Sequence, residues 1–459
     1  GKYNIVVTNP PYLGSKHMGS NLTDYLKKNY NNTKSDLFAV FMEKCGELLK
    51  LDGYYGMINQ HSWMFLSSYE KYREEVILNS NITNLLHLGP RAFEEIGGEV
   101  VQSTAFIINK NKIKDYKGSY VRLIDFSNAK EKEIKTLEAI ENPNCGYYYE
   151  TNEDNFELIP GSPIAYWASD NIYRSFKNKS IGDIFPVKKG SDTGNNNRYL
   201  RRWYEVDNIY IGLGLISGEE TTLFNKKWVP YDKGGLFRKW YGNNDIVIYW
   251  ENDGYELRNS RANLRSKHLF FKNHITWNAL TSANTSARYS DYGALFDSAG
   301  SSMFPNFKYI YLAYMNSKVV DKFLLFINPT LNYGAGSVSK LPKIPRDNIL
   351  NNKYKDIVQQ NISISKTDWD SFETSWDFEM HPLLDKDKQG QVPNTIESAY
   401  ENWKSYANTN FAKLKANEER LNELFIEIYG LEDELTPEVS DKDITIAKIF
   451  DDKKDIYED

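Results

Sequence analysis

A short apolar run that ends at two consecutive prolines constrains this chain more than any other stretch. Residues 3–7 are mostly apolar and β-branched, and they lead directly into Asn9-Pro10-Pro11-Tyr12. β-branched residues favour a strand, whereas proline cannot donate a backbone hydrogen bond inside a sheet. The run therefore predicts a buried strand over residues 4–8 that stops at a sharp corner.

The residues of this corner suit a flat substrate that carries an amino group. The Asn9 carboxamide oxygen and the Pro10 carbonyl can both accept hydrogen bonds from one exocyclic NH2 group, while Pro11 adds stiffness and no competing donor. Tyr12 offers an aromatic face for stacking. Such a grip draws electron density onto the nitrogen without deprotonating it, which favours attack on an electrophilic methyl group. A strand followed by a turn with an incidental aromatic residue is the alternative.

The stretch from Asn9 to Tyr12 resembles motif IV of the amino-methyltransferases that use S-adenosylmethionine, above all the N6-adenine DNA methyltransferases. The resemblance continues through residues 35–38, 54–59, 62–66, 69–79, 87–93 and 96–101. It is strongest to the PglX family, the adenine-specific DNA methyltransferases of BREX phage-defence systems, and it covers nearly the whole chain. It implies an α/β fold that contains the C-terminal half of a Rossmann-like class I methyltransferase sheet, entered at motif IV.

The same resemblance implies roles for three further aromatic residues. Phe93 resembles the motif VIII aromatic and would form, with Tyr12, two walls of a pocket for a flipped adenine, since aromatic walls return part of the lost stacking energy. Phe38 and Phe41 lie on the helix that resembles motif V, which lines the adenine of the cofactor. A role in the hydrophobic core stays open for all three. Asp36 is expected to cap that helix.

The cofactor is expected to be S-adenosylmethionine, with its main binding loop upstream of this chain. Class I methyltransferases bind it on a Gly-rich turn after their first strand and on an acidic residue after the second. This chain begins at what resembles the fourth strand, and Gly97-Gly98 lies too late to replace the loop. We therefore expect the chain to be a fragment that is inactive by itself.

The order of patterns along the chain predicts four parts. Residues 1–125 form the catalytic half, with strands at 4–8, 54–59, 82–88 and 101–108 and helices at 36–50 and 68–79. The last two strands are expected to pair as the antiparallel end of the sheet. Residues 126–160 form a connector, residues 161–345 a mixed α+β target recognition domain with a late helix near 314–327, and residues 346–459 a helical C-terminal region with an acidic tail.

Two basic runs within residues 161–345 predict a surface for double-stranded DNA. Residues 174–202 hold eight Lys and Arg against two Asp, and residues 257–278 contain no acidic residue. Lys and Arg neutralise phosphates, while Arg and Asn can read base edges. Arg198, expected in a loop, is the candidate for base reading. The full set of candidate DNA contacts is Lys188, Lys189, Arg198, Arg201, Arg202, Arg258, Arg261 and Arg265. A solvated basic face is the alternative.

Composition limits the remaining possibilities. The net charge is −6, but residues 418–459 carry 15 acidic and 5 basic residues, so the rest of the chain is net positive by 4. Two cysteines and six scattered histidines predict neither a disulfide framework nor a metal site. No apolar run approaches the ~20 residues of a membrane span, which predicts a cytoplasmic protein without a membrane partner.

These patterns together predict a site-specific adenine-N6 DNA methyltransferase of a phage-defence or restriction-modification system. One alternative is a DNA-specificity and assembly module without activity of its own. Another is a protein-glutamine methyltransferase, which can use the same grip on an amide nitrogen but is disfavoured by the large basic second domain. The acidic tail is expected to be a solvated surface, with docking of another defence-system protein as the alternative.

Overall fold

The computed structural model describes residues 1–93, 101–280, 284–328, 332–385 and 395–449. The chain divides into two units: unit 1 contains residues 1–177 with 326–329, and unit 2 contains residues 178–325 with 330–459. No helix among the described residues combines the length and the apolar character needed to cross a membrane. Gly97-Gly98 and the end of the acidic tail, beyond residue 449, lie outside the described residues.

Unit 1 is built on one six-stranded sheet. Its strands are β1 (Tyr3–Thr8), β2 (Leu49–Gln60), β3 (Asn81–Gly89), β4 (Ser103–Asn109), β5 (Lys117–Arg122) and β6 (Tyr148–Asn152). Its helices are α1 (Ser20–Asn29), α2 (Leu37–Leu48), α3 (Glu70–Asn79), α4 (Ala129–Glu141) and α5 (Asp170–Phe176).

The strands follow the order β1-β2-β4-β3-β5-β6 across the sheet. β1 pairs with β2 in parallel, with Thr8 opposite Met57, and β3 pairs with β5 in parallel. β4 is antiparallel to both of its neighbours, β2 and β3. β1, β2, β3 and β5 therefore run in one direction, and their carboxyl ends meet at one edge of the sheet. We call this the carboxyl edge; it carries residues 9–12, 61–66, 90–93 and 123–125.

The two faces of the sheet are covered by different helices. On one face, the hydroxyl of Tyr55 on β2 lies 3.3 Å from that of Tyr72 on α3, and Tyr55 meets Phe106 on β4 edge to face. On the other face, α4 packs through Ala139 into a cluster with Val121 of β5. Both helices thus bury the apolar side chains of the central strands, which is the main source of stability for such a sheet.

β1 lies at a free edge, where the prediction of a buried strand is wrong. Ile5 and Val7 are 68% and 76% exposed, because among the described residues only β2 pairs with β1 and nothing covers its outer side. An open apolar groove of about 820 Å³ extends from β1 across the face that α4 covers only in part. Its lining includes Val7, Thr8, Asn9, Gly56, Ile58, Ala105 and Ile107. The exposed side of β1 and the open groove together form a large apolar surface that the described residues do not cover.

Most of the expected elements of unit 1 are present. β1 to β4 coincide with the four expected strands, α2 and α3 coincide with the two expected helices, and the antiparallel pairing of β3 with β4 is confirmed. These two strands do not end the sheet, however, because β5 and β6 continue it. Residues 126–152, expected in a connector, supply α4 and β6 instead. The sequence of β6, Tyr-Tyr-Glu-Thr-Asn, lacks the aliphatic alternation by which a strand is recognised.

Unit 2 contains two four-stranded sheets, with the orders β13-β9-β10-β8 and β12-β11-β14-β7. Its strands are β7 (Val187–Lys188), β8 (Leu200–Arg202), β9 (Trp228–Asp232), β10 (Ile246–Tyr249), β11 (His274–Asn278), β12 (Ala287–Ser290), β13 (Leu295–Phe296) and β14 (Gly300–Met303). Its helices are α6 (Asn196–Tyr199), α7 (Glu219–Leu223), α8 (Glu251–Arg258), α9 (Lys308–Met315), α10 (Lys318–Ile327), α11 (Ala335–Val338), α12 (Asp347–Trp369) and α13 (Ile396–Tyr429).

The core of unit 2 is aromatic. Tyr231, Trp250 and Phe296 are all buried in one cluster beside the first sheet. The helix expected near residues 314–327 is present as two helices, α9 and α10. Two long helices, α12 and α13, lie in the part of the chain after residue 346, where helices were expected. Gly430 ends α13 with a positive φ of 66°, a conformation that glycine adopts without strain.

Candidate active site and nucleic-acid interface

The Asn9-Pro10-Pro11-Tyr12 corner lies on the carboxyl edge, directly after β1. Asn9 and Pro11 are exposed, Pro10 is buried and Tyr12 is partly buried. The Tyr12 ring meets the Phe38 ring edge to face, with 6.0 Å between the ring centroids. Burial, and secondarily the charge of Asp36, raises the pKa of the Tyr12 hydroxyl, which therefore stays protonated. The corner thus presents an accessible amide beside a supported aromatic ring.

Asp36 fixes the segment that follows Tyr12. Its carboxylate accepts the backbone N–H of Phe38 at 3.3 Å, which caps α2 as predicted. The same oxygen accepts the N–H of Leu13 at 3.0 Å, and the N–H of Leu37 donates to the Leu13 carbonyl. One carboxylate therefore ties the start of α2 to the residue after Tyr12, a link that the sequence did not reveal.

The two predicted cofactor-lining residues differ in environment. Phe38 is fully buried between Tyr12 and Tyr69, whose ring centroid lies 5.8 Å from that of Phe38. Phe41 is 36% exposed on α2. Phe38 therefore supports the Tyr12 ring from behind, and the contact of either side chain with a cofactor stays a prediction.

Phe93 follows the end of β3 and also lies on the carboxyl edge. Its side chain is 36% exposed. The preceding corner depends on Gly89, which has a φ of 65° and lies so close to Ile124 that a Cβ would come within 2.8 Å of that side chain. Tyr12 and Phe93 both lie on the carboxyl edge of the sheet, but their rings make no contact in the part of the chain that the structure describes. The pocket between them stays a prediction.

A chain of polar side chains reaches the carboxyl edge from the interior. His87 on β3 is 3% exposed, and its Nδ1 lies 3.0 Å from the hydroxyl of Tyr166. His87 Nε2 lies 2.8 Å from Nδ1 of His61, the first residue after β2. The Arg122 guanidinium lies over the Trp167 ring, 4.8 Å from the ring centroid.

His61 and His87 are both held neutral. Burial lowers the pKa of His61 to about 4. Burial also lowers the pKa of His87 well below its ordinary value, and the positive charges of Arg122 and Lys132 add to the effect. Sequence reasoning missed this pair because it sought only metal-ligand spacing. The available signal was a histidine at the end of each of two predicted strands.

In unit 2 the structure joins the two predicted basic runs into one surface. Asp192 and Asn263 exchange both backbone hydrogen bonds, at 3.0 and 2.8 Å. Arg265 donates to the Asp192 carboxylate at 2.6 Å. Gly190 lies so close to Phe296 that a Cβ would clash with its carbonyl, so only glycine fits there. We call the surface formed by residues 188–202 and 256–267 the basic face.

Carboxylates pair with four of the eight predicted DNA contacts. Arg198 binds Glu256 and Arg258 binds Asp253, both at 2.7 Å. Arg265 binds Asp192, and Arg202 binds Asp245. Arg201 donates to the carbonyls of Asn197 and Leu200.

The other three predicted contacts, Lys188, Lys189 and Arg261, are exposed and form no salt bridge within the described ranges. Arg198 lies in the one-turn helix α6, where Asn195 accepts its backbone N–H, so its placement in a loop was wrong.

This chain is similar to part of two curated adenine-specific methyltransferases. Residues 1–93 match the family model "Eco57I restriction-modification methylase". The adenine-specific methyltransferase PglX of Lacticaseibacillus casei (strain Zhang) is 42% identical over 460 residues, which is 97% of this chain and 38% of that protein. The chain is a homologue of PglX.

The PglX resemblance inferred from residues 9–101 is therefore confirmed, and it extends over nearly the whole chain. The adenine-specific methyltransferase BrxX of Escherichia coli O9:H4 (strain HS) is 39% identical over 95% of this chain and 34% of that protein. The chain thus spans about a third of the length of these curated relatives. A solved structure of the Type IIL restriction-modification enzyme MmeI in complex with DNA is 12% identical, with a TM-score of 0.49, over 94% of this chain and 57% of that one.

Proposed function

We propose that this chain forms the catalytic and DNA-recognition part of a site-specific adenine-N6 DNA methyltransferase in a phage-defence or restriction-modification system. One observation carries the proposal: in a homologue of two adenine-specific methyltransferases, the Asn9-Pro10-Pro11-Tyr12 corner lies at the carboxyl edge with its amide exposed. Substrates of open α/β sheets bind outside the carboxyl ends of the strands.

In this proposal the target adenine flips out of the duplex and binds at the carboxyl edge of the sheet. Its N6 amino group donates one hydrogen bond to the Asn9 carboxamide oxygen and one to the Pro10 carbonyl, while Tyr12 stacks on the ring. These two acceptors orient the N6 lone pair and increase its electron density. Phe38 and Asp36 hold Tyr12 and Leu13 in place, so catalysis rests on positioning and on exclusion of water.

The methyl group would come from S-adenosylmethionine, which supplies an electrophilic carbon for direct displacement by N6. The residues of this chain proposed to contact it are Phe38 and Phe41 on α2, of which Phe41 is 36% exposed. We propose that its main binding loop belongs to a segment outside this chain, which pairs with the free edge of β1 and covers Ile5 and Val7. Burying each of these side chains would contribute about 1–2 kcal/mol. Without that segment the chain is expected to bind the cofactor weakly and to be inactive.

The basic face is the proposed DNA surface. Lys188, Lys189 and Arg261 are exposed and form no salt bridge with any described residue, so they can neutralise phosphates without losing such a partner. Arg198 is the proposed base reader; it would have to exchange Glu256 for a base edge, which adds a cost that only the correct base repays. Arg265, through Asp192, would keep the two runs of the basic face together, whereas Arg258 pairs with Asp253 on its own helix.

The experiment that tests the proposal is a comparison of DNA from cells with and without the full-length protein. N6-methyladenine at one short sequence, present only in cells that express the protein, is the expected result. Single-molecule sequencing would locate the site, and mass spectrometry of nucleosides would identify the modified base. DNA binding without any methylation by the full-length protein would leave a DNA-specificity module and refute the catalytic proposal.

A further inference from the structure

In the order of the strands across the sheet, His61 lies between Tyr12 and Phe93, the two proposed walls of the adenine pocket. Tyr12 follows β1, His61 follows β2, and Phe93 follows β3, which β4 separates from β2. With Thr8 opposite Met57, Asn9 lies opposite Ile58, only three residues before His61. Neighbouring strands are about 4.8 Å apart, so one base at the carboxyl edge can reach side chains from both β1 and β2.

The hydrogen-bond network determines which ring nitrogen of His61 carries the proton. Tyr166 is 2% exposed, so its hydroxyl hydrogen needs an acceptor, and the acceptor among its described contacts is His87 Nδ1, at 3.0 Å. A neutral His87 that accepts at Nδ1 carries its proton on Nε2, and it donates that proton to His61 Nδ1 at 2.8 Å.

His61 is consequently left with its proton on Nε2. Its ring is partly exposed, unlike that of His87, and Nε2 has no partner among the described residues. Phe65 packs against the ring edge to face, with centroids 5.4 Å apart, and helps to fix its orientation. The network therefore ends in one oriented N–H donor at the carboxyl edge.

We propose that His61 Nε2–H donates a hydrogen bond to a ring nitrogen of the flipped adenine, N1 or N7, next to the amino group held by Asn9. This inference rests on the proposed function and adds a specificity-determining residue to it. Adenine presents N6–H2 as a donor between two acceptors, N1 and N7, which complements two oxygens beside one N–H. Guanine presents an oxygen at C6 and an N–H at N1. Its C6 oxygen would face the oxygens of Asn9 and Pro10, and its N1–H would face the His61 N–H, so these hydrogen bonds could not form.

The test combines variants of His61 with altered target bases in the full-length protein, after its methylated site has been located. Wild type, His61→Phe and His61→Gln are assayed for kcat/KM on duplexes whose target is adenine, 1-deazaadenine or 7-deazaadenine. The wild type is expected to lose roughly 10-fold on the analogue that lacks the accepting nitrogen, beyond any intrinsic change in N6 reactivity. His61→Phe is expected to lose a similar factor on adenine and to lose nothing further on that analogue. His61→Gln, which keeps a donor, is expected to retain more activity on adenine.

A packing control separates recognition from structure. Tyr69→Leu removes a ring that packs on Phe38 behind Tyr12 and has no ring contact with His61 among the described residues, and it is expected to reduce activity on all three substrates by one common factor. If His61→Phe also reduced activity on all three by one common factor, the proposed hydrogen bond would be ruled out. If the wild type methylated no DNA, both the proposed function and this inference would be overturned. If it methylated DNA but the effect of His61→Phe did not depend on the target base, only the inference would be overturned.

Discussion

Glu153 gives unit 1 a pH dependence whose size follows from its surroundings. It is the first residue of a short 3-10 turn (Glu153–Leu158) and is 0% exposed. Its carboxylate accepts the backbone N–H of Ile82, the Asn81 side-chain amide at 3.4 Å and the Lys112 ammonium at 3.3 Å. Burial outweighs these partners and raises the pKa of Glu153 from 4.5 to about 7.

The sign follows from proton binding in the two states. Between pH 4.5 and about 7 the folded protein holds a proton on Glu153 that the unfolded chain has released. The contribution of Glu153 to stability is therefore complete below pH 4.5 and falls as the pH rises through the folded pKa. With these two pKa values, an increase from about pH 5 to about pH 8 should lower the free energy of unfolding by roughly 2.5 kcal/mol.

Glu153→Gln removes this titration while keeping the shape of the side chain. Urea denaturation of wild type and variant at about pH 5 and pH 8 should show the wild type losing roughly 2–3 kcal/mol relative to the variant over that interval. Glu157→Gln, an exposed position in the same turn, is the matched control and should track the wild type. Parallel pH profiles for wild type and Glu153→Gln would refute the assignment of a protonated carboxyl at this position.

Three further predictions concern other parts of the chain. Arg73 is 1% exposed and donates to the carbonyls of residues 63, 66, 161 and 162, so Arg73→Lys should lower the free energy of unfolding by about 2–4 kcal/mol, measured by urea denaturation. In the full-length protein, Tyr12→Phe should restore most of the methylation lost in Tyr12→Ala, because stacking needs the ring; equal rates for Tyr12→Ala and wild type would remove Tyr12 from the pocket. Arg198→Ala should cost about 1–3 kcal/mol only at the methylated sequence, whereas Lys188→Ala should weaken binding to all duplexes and reduce the salt slope by about one, both measured as binding isotherms at several salt concentrations.

The part of the site that the sequence predicted is the part encoded by neighbouring residues. The proline corner after β1 and the Asp36 cap each depend on a few consecutive residues, and both are present in the structure. The exposure of β1 was not predictable in this way. An apolar run indicates that a surface is to be covered, but it does not indicate which segment covers it.

The features that could not be predicted from the sequence depend on contacts between residues that are far apart in the chain. His61 and His87 are 26 positions apart and belong to strands that β4 separates, so no local pattern connects them. The joining of the two basic runs through Asp192 and Asn263 is likewise a contact over 71 positions. From the sequence, the arginines of these runs were expected to be available cations, but the tertiary structure pairs Arg198 with Glu256 and Arg202 with Asp245.

The role of Asn9 is tested most directly by measuring methyl transfer and DNA binding on the same preparation of the full-length protein. Asn9→Ala removes one of the two acceptors that are proposed to hold N6. The rate of methyl transfer from labelled S-adenosylmethionine should fall about 100-fold or more, while the Kd for a duplex containing the site should change by less than about 3-fold, since the basic face is the proposed DNA surface. A wild-type rate of transfer in Asn9→Ala, or a Kd weakened by the same factor as the rate, would contradict the assignment of this corner as the site that holds the reacting amine.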